Sequence, residues 1–511
     1  MRQRLRPALV VLVMLALWEA AVWAVGGSVL ISSPLSILTY LIEEWHLVLR
    51  AAVETTGNAA HGFLWGNLAA VALAALVIAV PISGRLVSAI ALLVFSVPLI
   101  ASGPILRVLY GPGVGPQVTL AALAVYYTTF IALVVGLRAV PRTWTDLIEI
   151  YGHGQLVILA KVRAWASFPY LFAGLQIAAP ASLLGAMIGE FTGAERGLGV
   201  LTLRGMRGLE TDAIWALATV SALIAIAAYW ALGWLGRRIV GYQPVILLSP
   251  PRTVGNRPVQ NRIIELALIT LAVLMFWQVA MDAAGLNRFF AKRPGDIWVF
   301  LSDGGNRETL LAALGQTLAF AVPGYLAGLG LGAGLAALLV VMPGVAGAAM
   351  PIAVALRSIP IITTAPVLLL AFGRGATGTI VVVAVMIFFP TLVACMQGLR
   401  QTPGQIVELF SSYGAGRWRL LTAAQIPAML PAFFASARMA VPAALLAVTT
   451  AEWLATGKGI GVLMALTAST SNYNMLWSCV VLLCVTAAAM YAVVSWCERA
   501  VLSIYASEQL I

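Results

Sequence analysis

Residues Val407–Pro427, VELFSSYGAGRWRLLTAAQIP, form a polar, partly basic insert between two long apolar runs. A related insert, Thr145–Trp165, TDLIEIYGHGQLVILAKVRAW, occupies the same setting in the first half of the chain. Tyr413-Gly414 follows Tyr151-Gly152 by 262 residues (413 minus 151). The same offset superimposes Leu137-Arg138 on Leu399-Arg400, Pro141 on Pro403, Pro180 on Pro442 and Glu190 on Glu452. The chain therefore reads as two copies of one unit, each carrying a soluble-looking element at the same place.

The remainder reads as membrane. A mean hydropathy of +0.98, with 61% hydrophobic and only 10% charged residues, excludes an ordinary soluble domain. A helix of about 20 apolar residues spans the hydrocarbon, and a backbone crossing lipid must close its own hydrogen bonds, so each span is assigned as helix. Six spans are expected in the first copy, near 8–26, 57–80, 86–108, 117–136, 166–190 and 213–236, and six in the second, near 263–285, 317–342, 346–370, 378–397, 429–452 and 475–498. The expected fold is an all-α integral membrane protein of about twelve helices, divided as 1–240, a linker 241–262 rich in Pro, Gly, Asn and Arg, and 263–511. Six is even, so both copies enter the membrane in one orientation, as parallel repeats. Arg2, Arg4, Arg6, Arg85, Arg138, Arg142, Lys161, Arg163, Arg237 and Arg238 all fall on one side. By the positive-inside rule that side is cytoplasmic, and the N-terminus with it.

The run MRQRLR before the apolar stretch from Pro7 resembles a signal peptide, but a matching apolar segment, Ile263–Gly285, opens the second copy, and an uncleaved first span is expected. The loops Gly27–Thr55 and Leu286–Leu314 are expected outside, with short interfacial pieces. The net charge of +11 has no compact basic patch with interleaved aromatics, so nucleic acid is not an expected partner; the lipid bilayer is. The cysteines Cys395, Cys479, Cys484 and Cys497 lie in apolar stretches without metal-ligand spacing, and His46, His61 and His153 are scattered.

Within the second insert, Val407–Tyr413 fits a short amphipathic helix with Val407 and Phe410 on one face. Gly414 permits the left-handed turn that ends it, and Pro427 stands where the next span begins. A short helix held at the membrane surface suits a groove on a cytoplasmic partner; the competing reading is a solvated loop. Glu190 and Glu452, near the outer ends of the fifth spans, read either as gate residues acting with Gly197-Leu198-Gly199 and Gly459-Ile460-Gly461, or as caps on nearby backbone amides. Ser96-Val97-Pro98 and Ser358-Ile359-Pro360 mark third spans that cannot be regular helices, which points to the pathway, with ordinary kinks as the alternative. Arg357, which has Phe95 as its counterpart, reads as a contact for an anionic solute or as a snorkelling side chain.

The insert resembles the EAA loop of ATP-binding-cassette importer permeases, the type I, MetI-like fold of binding-protein-dependent transport. Glu408, Gly414, Ala424, Ile426 and Pro427 stand at the family's spacings, as do Asp146, Gly152, Val162, Ala164 and Trp165, where Asp146 replaces the glutamate and Trp165 the proline. FSVPLIASGPILRVLYGPG (Phe95–Gly113) and RSIPIITTAPVLLLAFGRG (Arg357–Gly375) resemble the branch importing nitrate, sulfonates and taurine. The resemblance implies a tandem fusion of two permease subunits that couples through Asp146, Tyr151, Gly152, Glu408, Tyr413, Gly414, Arg417 and Pro427 to two cytoplasmic ATPase subunits. It implies an extracytoplasmic substrate-binding protein. The candidate pathway residues, taken from the charges and prolines themselves, are Pro98, Glu190, Arg357, Pro360 and Glu452. It implies no catalysis and no cofactor. No G-x-x-x-x-G-K-[ST] phosphate loop occurs; Ala455–Gly459 comes nearest but has Glu452 in place of the leading glycine. A secondary carrier with six-plus-six parallel repeats is the alternative.

Overall fold

The computed structural model describes residues 16, 18–20, 22–23, 31–80, 84–111, 113–140, 142–152, 154–241, 259–342, 344–345, 353, 356, 359 and 361–505. Among them every regular element is a helix. Eight helices are each long and apolar enough to cross a bilayer: Trp45–Ala79, Gly115–Arg138, Leu159–Phe191, Thr211–Val240, Gly304–Val341, Ala376–Arg400, Arg417–Leu454 and Tyr473–Tyr505. The pair Leu86–Phe95 and Leu99–Tyr110 makes a ninth if counted as one bent span. Of the other expected crossings, most of 8–26 lies outside the described residues, 263–285 falls within the helix Val259–Ala283, and Ile361–Phe372 is the described part of 346–370.

The 262-residue offset holds in the backbone. Leu99–Tyr110 maps onto Ile361–Phe372, Arg142–Ile150 onto Gly404–Ser412, and the π turn Leu159–Arg163 onto Leu421–Gln425, both ends of each pair agreeing. One expectation is corrected. Among the described residues the stretches 31–55 and 286–314 are mostly helical: Pro34–Glu43 and Pro294–Ser302 are helices, and the second spans begin at Trp45 and Gly304 rather than at 57 and 317. Polar residues such as Glu54, Thr55 and His61 lower the hydropathy there, but no proline interrupts the first of these helices, so it continues past the apolar segment. The irregularity expected at Ser96-Val97-Pro98 is present: the third span is two helices, and the chain turns by 91° between them. Pro98 has no N–H to donate and is the N-cap of the second piece.

Each second span packs on the fourth span of its own half through small residues. A Cβ at Gly66 would approach Ala122 O to 2.5 Å, and one at Gly328 would approach Ala384 O to 2.7 Å and Ile387 Cβ to 2.8 Å. Gly62 and Gly324 make the same close approach one turn earlier. Lipid tails are as apolar as leucine, so such contact must come from shape, which small residues at every fourth position allow. The run Gly324–Gly334 is used in this way at Gly324, Gly328 and Gly332, whereas Gly330 and Gly334 face open space.

The halves exchange contacts across their seam. Leu99–Tyr110 packs on the fifth and sixth spans of the second half and on Ile460–Ser469, and Ile361–Phe372 packs on the corresponding helices of the first half. Phe191 and Leu198 share one apolar cluster with Leu446, against which Trp453 and Leu454 pack. The C-terminal ends of the two fifth spans therefore meet at one end of the molecule, and those helices run in the same direction. Packing through glycine makes a contrast testable. Gly328→Leu should destabilise the protein by about 1–3 kcal/mol through overpacking, while Gly330→Leu should leave its thermal unfolding in detergent unchanged.

Candidate functional site

At one end of the bundle stand the two short helices Arg142–Ile150 and Gly404–Ser412, each joining a fourth span to a fifth. Thr145 is buried, and Ile148, Val407 and Phe410 are half-buried against the bundle. Three positions in one register face away from it: Trp144 and Ile406, Leu147 and Leu409, Tyr151 and Tyr413, the tyrosines 73% and 83% exposed. Spacings of three and seven residues put each set on one helical face. The helices are thus apolar on two sides, one anchoring them and one presented outward. Asp146 and Glu408 are also exposed, beside that outward face.

Both helices end in a glycine turn. Gly152 and Gly414 have φ of +78° and +66°, with nothing within 4 Å of a would-be Cβ. The requirement is conformational, since a left-handed backbone costs an L residue about 1–2 kcal/mol. Gly414 N–H donates to Ser411 O and Ala415 N–H to Phe410 O, each at 3.0 Å, closing the last carbonyls. Arg417 then donates from Nη1 to Val341 O at 3.3 Å, at the C-terminus of the second span, where a cation is favoured. Pro427 is half-buried and falls in the first turn after the π turn Leu421–Gln425.

The other end of the fifth spans carries the glutamates, about 45 Å from the π turns at 1.5 Å per residue. Glu190 is 1% exposed and Glu452 0%. Glu190 Oε1 accepts from Thr55 Oγ1 at 2.7 Å, and Oε2 from Gly199 N–H at 2.7 Å, while Thr55 Oγ1 accepts from Leu198 N–H at 2.8 Å. The second half repeats the backbone part of this: Glu452 Oε2 accepts from Gly461 N–H at 2.8 Å, and Thr317 Oγ1 from Ile460 N–H at 2.9 Å. Every partner is displaced by the common offset. The Thr317 hydroxyl donates to Ala313 O, however, and Glu452 Oε1 is buried without a hydrogen bond. Each carboxylate thereby caps the N-terminus of the helix that follows, Leu198–Gly208 or Ile460–Ser469, and the threonine of the second span, accepting the preceding N–H, fastens that helix to the span.

The glycines explain themselves here. Gly197 (φ +128°) and Gly459 (φ +94°) lie so close over the carboxylates that a Cβ at either would overlap the glutamate side chain. A charged side chain within a span costs about 2.5–3.5 kcal/mol on insertion scales. A hydrogen bond to a charged group contributes about 1.5–3 kcal/mol, so the two that Glu190 accepts and its helix N-terminus offset that cost, while Glu452 accepts one.

Between the two ends, a cavity of about 260 Å3 lies across the seam. Its walls are Pro180, Ala181 and Leu184 of the first half and, among others, Ile361, Met386, Phe389 and Pro390 of the second; Thr364 supplies the hydroxyl. Pro98 is buried at the break in the third span. Arg357 and Pro360 lie outside the described residues. Sequence reasoning missed Thr55 and Thr317, which the 262-residue offset would have paired, and it missed the outward apolar face of the loop helices.

Residues 62–241 and again 312–503 match the family described as binding-protein-dependent transport system inner membrane component. The chain belongs to this family. Among its relatives, a probable ABC transporter permease of Haemophilus influenzae is 29% identical over 247 residues, covering 46% of this chain and 97% of the relative. The riboflavin transport system permease of Chloroflexus aurantiacus is 26% identical, with coverages of 50% and 95%. The formylaminopyrimidine transport permease of Halalkalibacterium halodurans is 30% identical, with 39% and 78%. About half of this chain thus corresponds to most or nearly all of a relative, so one polypeptide carries the permease unit twice. No solved structure gives a significant match. This permease is a multi-pass component of an ABC transporter, not an enzyme, and ATP hydrolysis belongs to a separate subunit.

The carboxylate caps yield a graded expectation. Glu190→Ala should lower thermal stability by about 2–4 kcal/mol, since it strands two donors, whereas Glu190→Gln, which keeps an acceptor, should cost less than half of that. Gly459→Ala, a one-methyl change, should be as damaging as Glu452→Ala in the same unfolding assay.

Proposed function

We propose that this chain forms the whole translocation pathway of an ATP-driven importer for a small solute. The solute is handed over by an extracytoplasmic substrate-binding protein, and two ATPase subunits drive the cycle from the cytoplasm. The observation that carries this reading is the pair of loop helices at one end of the bundle, each presenting an unpartnered apolar face in the same register. An exposed apolar patch on a helix that the rest of the chain holds rigidly is a docking feature. The two patches call for two copies of one kind of partner.

On this reading the chain crosses the membrane twelve times, with 1–240 and 263–511 as the halves, 241–262 as the cytoplasmic linker, and the N-terminus inside. Closure of the ATPases draws the loop helices together, and the fifth spans, continuous from the π turns to the glutamates, carry that displacement outward. Glu190 and Glu452 hold the helices Leu198–Gly208 and Ile460–Ser469 at the outer mouth, so both ends of each fifth span move as one body. The cavity beside Pro180 and Phe389 is a station on the pathway. The relatives named for riboflavin and formylaminopyrimidine transport support small ring compounds as candidate solutes, with taurine-like anions as the competing class.

The test is co-purification of the cognate ATPase with this chain in detergent. Leu147→Arg and Leu409→Arg should each cut ATPase retention about tenfold, as a charge facing an apolar groove must be desolvated, and the double variant should retain none. An ATPase still bound by a folded double variant would overturn the docking assignment; a chain that drives uptake with no ATPase would favour the secondary carrier.

A further inference from the structure

Three residues inside the membrane set the second half apart from the first. Arg438 of the fifth span and Glu498 of the sixth are 6% and 2% exposed, and Arg438 Nη1 forms an ion pair with Glu498 Oε2. Tyr325 of the second span, also buried, donates from Oη to Ala437 O at 2.8 Å, beside that pair. Subtracting the offset gives Phe63, Gln176 and Gly236. At these three places the first half has no hydroxyl, no charge and no side chain. Its fifth and sixth spans meet instead at a glycine notch, where a Cβ at Gly233 would overlap the Gln176 amide.

The charged cluster borders the seam. Met439 packs against the first-half cluster of Tyr126, Tyr127 and Phe130, and Arg438 lies within electrostatic reach of Tyr127. Separating a buried ion pair leaves two uncompensated charges in a low-dielectric interior, whereas sliding a glycine past an amide loses only short-range contact.

We propose that Tyr325, Arg438 and Glu498 are positioning residues that bind the second, fifth and sixth spans of the second half into one stiff unit. The first half is the compliant partner, and the transport cycle opens the seam by moving the first half against the second. The consequence for transport rests on the importer reading; the difference in stiffness is a property of the chain alone.

Amide hydrogen exchange of the full chain in lipid nanodiscs tests this. In the unaltered protein, residues 473–505 should exchange about tenfold more slowly than 211–240. In Tyr325→Phe/Arg438→Gln/Glu498→Gly, which installs the first-half residues, the two segments should agree within about twofold. Equal exchange in the unaltered protein, or a triple variant that keeps the difference, overturns the proposal. Should the triple variant not fold, the reversal Arg438→Glu/Glu498→Arg should recover most of the slow exchange lost in either single reversal, and no recovery counts against the pair. With the ATPase and binding protein added, solute taken up per ATP hydrolysed should fall about fivefold in the triple variant, a readout that a purely structural pair would leave unchanged. Failure of the unaltered chain to bind an ATPase would sink the importer reading without touching the exchange comparison.

Discussion

A helix end inside a membrane protein has backbone groups that neither lipid nor water will satisfy. In this permease that constraint is met twice by one device. A glutamate at the end of the fifth span turns back onto the amides of the next helix, and a threonine from the second span completes the cap. The chain needs a carboxylate there because four N–H groups at a helix start carry partial positive charge and require an acceptor. It needs glycine opposite because the carboxylate fills the space of a side chain. The glutamates are thus both an electrostatic solution and the joint that fixes where the helices Leu198–Gly208 and Ile460–Ser469 sit.

The loop helices solve the inverse problem at the other end. They are short, and helices under about twelve residues are marginal on their own. Burial of Thr145, the half-buried Ile148, Val407 and Phe410, the glycine turns and the Arg417 tether to Val341 O hold them in place. Because they are held so firmly, an apolar face can remain outward without collapsing onto the bundle. The fifth span links the two ends, and its proline-containing middle borders the cavity between the halves.

Duplication explains why so much repeats, and departures from it show where the halves differ. The caps, the turns and the glycine seams of the second and fourth spans follow the offset closely. The buried ion pair does not: Arg438 and Glu498 have neutral counterparts. A buried ion pair is weak support for stability in general, so its presence in one half alone points to control of relative motion.

The sequence by itself determined the helical class, the doubling and the position of the loop helices, because those follow from hydropathy, a constant offset and glycine turns, all local or self-referential signals. It left the role of Glu190 and Glu452 open between gate and cap, and it placed Val407 and Phe410 on one face without showing that the adjacent face, turned outward, is apolar too. Only the tertiary structure joined Thr55 to Glu190 across 135 residues, bent the third span by 91° and brought Arg438 to Glu498. Such pairings depend on which helix faces meet, and in lipid that is decided by shape and hydrogen bonding between spans rather than by hydropathy along any one of them.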